Sequence, residues 1–198
     1  MTTLAFALAA TIKHDGHGGI ADLLSTPEQT AAWLRDCPTD LGKFLPPIGA
    51  EILPTLDECR VWRELVRIRR AVRALFARAV APGAPSKADA DRLMDPHEAL
   101  RMVNEAAGRL GVTYLEWDEA PSTRWAYATD DPVELLGGAV GRSAIEFLTG
   151  PDRTRLRACP AARCVKYFLQ DDPRQTWCSP ACGNRERVNR HYRKRTAG

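Results

Sequence analysis

Four of the six cysteines fall inside 24 residues, as Cys159-Pro-Ala-Ala-Arg-Cys164 and, after a gap of 13, Cys178-Ser-Pro-Ala-Cys182. Thiolates are soft, anionic donors, and two closely spaced pairs supply the four corners of a tetrahedron around zinc. A complete four-sulfur shell leaves no position for water or substrate, so the chemistry expected of Cys159, Cys164, Cys178 and Cys182 is a structural Zn2+ site. Two local disulfides or incidental cysteines are the alternatives, and six cysteines are few for a disulfide scaffold of 198 residues. Cys37 and Cys59 stand apart in segments that read as helical and are expected to be ordinary thiols in a reducing cytoplasm.

The second constellation follows directly. From Pro180 the chain runs into a helix-like stretch with Arg or Lys at 185, 187, 190, 193, 194 and 195 and one acid, Glu186. Helical spacing puts Arg187, Arg190 and Lys194 on one face, and Arg185, Val188, Asn189 and Tyr192 on another that is expected to pack on the zinc module. Residues 150–198 hold 12 Lys+Arg against 4 Asp+Glu, a net +8, whereas residues 1–149 hold 16 against 21, a net −5. The formal total of +3 conceals this division. A cationic stripe on a rigid base suits the phosphates of double-stranded DNA, with Arg187, Arg190, Arg193, Lys194 and Arg195 as the expected contacts. RNA binding, or docking to an acidic protein partner, would use the same charge, and a merely solvated face is the bland reading.

These residues need a frame. Val165–Leu169 reads as a strand, Asp171–Gln175 as a turn, and Thr176–Trp177 as a second strand. Ser179 is a helix cap with Pro180 at the first helical position, which puts Cys182 in the first turn. Knuckle, hairpin and helix together predict a small treble-clef-like finger over 151–198. A segment that short has too little core to fold alone, so metal would supply most of its folding energy.

Residues 1–150 predict a larger, mostly helical α+β domain with a β-hairpin. Met1–Ile12 is apolar but lacks a basic leader, which favours a buried first element over a signal peptide. Lys13–Gly19, with three glycines, reads as a loop, and Pro27–Arg35 as a helix with Ala31, Trp33 and Leu34 inward. Prolines 38, 46, 47 and 54 interrupt the next stretch. Thr55-Leu56-Asp57-Glu58 has the capping-box pattern and opens the strongest apolar periodicity, from Leu56 to Phe76. Helices are predicted over Ser86–Met94 and Asp95–Leu110, then a hairpin of Val112–Trp117 with Thr123–Ala128, then a helix from Asp131-Pro132 to Gly150.

The run Cys182-Gly183-Asn184-Arg185, with Trp177-Cys178-Ser179 and the Cys159/Cys164 pair ahead of it, resembles the signature of bacterial CGNR zinc-finger proteins. Asp22-Leu23-Leu24-Ser25-Thr26-Pro27 followed by Ala31-Ala32-Trp33-Leu34 is similar to the start of the companion ABATE domain, so the resemblance spans nearly the whole chain. It implies a stress-induced transcription regulator, zinc on the four cysteines, and a structural or DNA-contacting role for Gly183, Asn184 and Arg185. On physical grounds Gly183 would allow close approach of helix and hairpin, Asn184 would bond backbone near the metal, and Arg185 a carbonyl or a phosphate. Ala10-Thr11 stands where the family often has an Asn-Thr pair, a departure at a position that would otherwise suggest a ligand contact.

No apolar run approaches the roughly 20 residues of a membrane span, and no nucleophile elbow, phosphate loop or nucleotide fingerprint occurs. An enzyme is not expected. His14 and His17 flank Asp15 on a glycine-rich segment without a fourth donor nearby, which favours a surface loop over a second metal site. Trp33, Trp62, Trp117 and Trp125 are expected in the core rather than lining a small-molecule pocket. The combined expectation is a cytoplasmic, bacterial, zinc-finger transcription regulator whose N-terminal domain senses a small-molecule ligand or forms a homodimer.

Overall fold

The computed structural model describes residues 3–15, 19–36, 41–45, 56–89 and 92–196. Cys37, His17, the four prolines at 38–54 and Thr55 lie outside them.

The apolar start forms helix α1 (Leu4–Ala9), capped by Thr3, with Leu4, Ala5, Leu8 and Ala9 buried. Strands β1 (Ile12–His14) and β2 (Ile20–Asp22) pair antiparallel, so Lys13 and His14, expected in a loop, belong instead to a strand. Helix α2 (Pro27–Asp36) buries Thr30 and Leu34 and leaves Trp33 half-buried against the core. A single turn, α3 (Leu41–Phe44), follows.

Helix α4 (Glu58–Ala79) is the centre of the domain. Its cap among the described residues is Asp57, whose carboxylate accepts from the Arg60 N–H at 3.1 Å. Leu65, Ile68, Val72 and Phe76 are fully buried, as the periodicity requires. Arg69 and Arg73 are buried on the same stripe, which periodicity does not anticipate. The helix predicted over Ser86–Met94 is absent among its described residues. Asp89 N–H to Ser86 O (2.9 Å) makes a turn there instead, and its side chains are committed elsewhere.

Helices α5 (Pro96–Gly108) and α6 (Pro132–Thr149) begin at the predicted caps, Asp95 and Asp131. They lie close because Gly141 has no side chain: a Cβ there would sit 2.8 Å from Ala107 N and 2.9 Å from Val103 O. Between them β3 (Val112–Trp117) and β4 (Pro121–Ala126) form the predicted hairpin. It projects from the bundle, so Trp117 is 69% exposed and does not belong to the core.

A 3-10 turn (Pro151–Arg155) leads into β5 (Leu156–Ala158), which pairs antiparallel with β6 (Tyr167–Leu169). The second strand expected at Thr176–Trp177 does not form; the partner of β6 is β5, on the other side of the first cysteine pair. Helix α7 (Pro180–Thr196) ends the described chain. Phe76 stacks obliquely with Phe147 (5.0 Å) and Phe6 (6.2 Å), and Tyr167 of β6 meets it edge-on at 5.7 Å. One apolar core therefore runs from the bundle into the cysteine module, and Leu156 and Tyr167 belong to it.

Candidate functional site

The connection between β5 and β6 is a tight knuckle: Cys159 N–H donates to Lys166 O, and Cys164 N–H to Ala161 O, both at 2.9 Å. It turns both thiols inward. Cys178 lies just ahead of α7 and Cys182 in its first turn, where Cys182 N–H bonds Ser179 O at 3.1 Å. All four Sγ atoms lie within 4.8 Å of one another, with Cys164–Cys178 and Cys178–Cys182 at 3.6 Å. A zinc tetrathiolate with about 2.3 Å bonds needs sulfurs about 3.8 Å apart, so the donor set is gathered as Zn2+ requires. These distances exceed a disulfide bond by far, and all four cysteines are free.

Crowding already favours charge separation among the thiols. Hydrogen bonds from Cys164 and Cys178 hold Cys159 well below the ordinary thiol range, while bonding to Cys159 pushes Cys164 and Cys178 upward. A divalent cation resolves this by replacing the shared protons. The module's own apolar cluster comprises Ala161 and Phe168 with three of the cysteines, and Trp177 packs beside it. So small a cluster cannot fold 40 residues unaided, and the site is a structural zinc centre.

Gly183 is the point at which α7 meets the finger. A Cβ there would lie 3.1 Å from Trp177 Cε3, so the glycine lets the helix rest on the indole. Arg185, half-buried, donates to Cys182 Sγ and to His14 Nε2, both at 3.2 Å, tying a metal ligand to β1. Glu186, the only acid of α7, accepts from Ala162 N–H of the knuckle at 2.7 Å. Asn184 is exposed. Beyond these turns the helix leaves the finger: Val188 and Tyr192, expected to pack, are 54% and 65% exposed. Arg187, Arg190 and Arg195 are exposed as well.

The finger is mounted on the bundle by residues distant in sequence. Lys87 Nζ donates to the carbonyls of Cys159 (3.4 Å), Pro160 (3.1 Å) and Ala161 (2.9 Å), clasping the knuckle from outside. Ser86 Oγ donates to Val165 O at 2.7 Å, and Arg73 reaches the same carbonyl at 3.4 Å. Arg73 pairs with Asp89 through Nε (2.8 Å) and Nη2 (2.9 Å), and Tyr167 OH donates to that carboxylate at 2.9 Å. Burial, reinforced by the Asp89 charge, holds the Tyr167 phenol above its ordinary value. The one signal in the sequence is the placement of Arg73 on the apolar stripe of α4, where a charge must find buried partners.

Residues 2–151 match the model of the ABATE family, described as "putative stress-induced transcription regulator", and residues 155–195 match the CGNR zinc finger. No curated protein matches the chain.

Proposed function

The chain belongs to the ABATE family and carries a CGNR zinc finger, and from this we propose that it is a DNA-binding transcription regulator acting without catalysis in the cytoplasm. Among the described residues no helix is long and apolar enough to cross a membrane. The observation that carries the proposal is the charge on α7. Its single acid is consumed by the knuckle, so the basic residues beyond it have no compensating charge on their own helix.

Zinc fixes where this helix starts and, with Trp177 under Gly183, where it points. Seventeen residues span about 25 Å, which suits a groove of duplex DNA. Arg187, Arg190, Arg193, Lys194 and Arg195 are the phosphate contacts in this reading. Arg174 and Thr176 line a shallow cleft beside Arg187 and extend the polar surface toward the finger. Arg185 serves mainly to hold Cys182 and β1 together.

The test is fluorescence anisotropy of the full chain with duplex DNA, structured RNA and heparin across a salt series. The expected result is DNA binding that weakens with salt, with a sequence-dependent margin found by selection from a random duplex pool. Arg187→Ala with Arg190→Ala should lower the salt slope by about 2. Binding insensitive to salt would refute it, and equal preference for heparin with no enriched sequence would refute it and favour an acidic protein partner.

A further inference from the structure

A cavity of about 440 Å3 opens between the β1–β2 hairpin, α4 and the Ser86–Asp89 turn. Its floor is two ion pairs, one buried and one half-buried. Arg69 grips Asp22 through both terminal nitrogens at 2.6 Å and donates to Thr11 Oγ1 at 2.8 Å; Arg73 and Asp89 form the other pair. Thr11 is thus spent on orienting Arg69. The floor is neutral and saturated. The mouth is not, because Arg70 and Arg92 are exposed there and have no ion-pair partner among the described residues. Among the described residues the lining therefore carries four arginines against two aspartates. The lining also includes apolar Ile20 and Leu93, which are 53% and 41% exposed.

Two uncompensated guanidinium groups in a partly apolar lining match one ligand chemistry, a carboxylate or phosphate on an apolar body. We propose that this cavity binds a small organic anion, with its charged end between Arg70 and Arg92 and its body against Ile20 and Leu93, and that occupancy tightens the seat of the zinc finger. The link is the Ser86–Asp89 turn. Ala88 and Asp89 face the cavity, while Ser86 and Lys87 hold Val165 and the knuckle carbonyls. A ligand that fixes the turn favours the state in which the knuckle is clasped, and by reciprocity a seated finger favours the ligand.

Neither step needs nucleic acid, so the test is independent of DNA binding. Sodium benzoate, phenyl phosphate and neutral benzamide would be titrated calorimetrically into the full-length, zinc-loaded protein, and zinc transfer to a chromogenic chelator followed at each concentration. Benzoate or phenyl phosphate, the comparison separating carboxylate from phosphate, should bind at about 1 mM or tighter, and benzamide should not. Bound anion should slow zinc transfer several-fold. The double variant Arg70→Gln/Arg92→Gln, altered only at exposed positions, should keep its Tm and lose roughly tenfold in anion affinity. Failure of both anions to bind, or equal binding by the double variant, overturns the site. Binding that leaves zinc transfer unchanged overturns the coupling.

Discussion

Tyr167→Phe isolates the joint between finger and bundle, because it deletes one oxygen and keeps the ring that meets Phe76 edge-on. The hydroxyl donates to the Asp89 carboxylate at 2.9 Å and accepts from Ser86 N–H at 3.3 Å, and Tyr167 is 5% exposed. Loss of a hydrogen bond to a charged acceptor costs about 1.5–3 kcal/mol, and a buried N–H left without a partner about 1–3 kcal/mol. The hydroxyl no longer has to be desolvated, which offsets part of this, and Asp89 keeps its two bonds from Arg73. A net loss of about 2–4 kcal/mol is expected. For a chain of this size each kcal/mol moves Tm by about 2–4 °C, so the variant should melt roughly 4–16 °C below the parent, with zinc saturating in both. Urea unfolding followed by tryptophan fluorescence checks the free energy, and chelator titration checks the metal. A change smaller than about 0.5 kcal/mol would refute the claim that this hydroxyl fastens the finger.

Three further outcomes follow from the same geometry. The Tyr167 phenol is held above its ordinary value of 10, so folding keeps it neutral; stability it contributes is complete below pH 10 and is lost as pH rises toward the raised value. A pH series of unfolding free energies should therefore fall more steeply above pH 10 in the parent than in Tyr167→Phe. Gly183→Leu forces a side chain against Trp177 and should cost about 1–3 kcal/mol with a shift in tryptophan emission, whereas an unchanged Tm would contradict the close approach. Removing zinc with a strong chelator should abolish the protection of amides in the Cys159–Cys164 knuckle and the start of α7 in hydrogen exchange while α4, α5 and α6 stay protected, because the bundle has its own core.

Helix starts at Pro27, Pro96, Pro132 and Pro180 were legible because a cap and its helix are neighbours in the chain, and the β3–β4 hairpin for the same reason. The four cysteines were legible because each pair acts through a single turn, and the donor atoms alone specify the metal. Elements whose partners are distant were misread. β6 pairs with β5 rather than with Thr176–Trp177, and the Ser86–Asp89 segment gives up a helix to bond Val165, Cys159 and Ala161. Arg69 and Arg73 sit where periodicity demands apolar residues, and only the tertiary fold brings up Asp22, Asp89 and the carbonyls that make their burial tolerable. The sequence by itself determined a tetrathiolate zinc centre and a basic helix issuing from it. The structure decided how that centre is mounted, with Lys87, Ser86, Tyr167 and Arg185 joining residues far apart in the chain, because such contacts depend on packing geometry that no local spacing encodes.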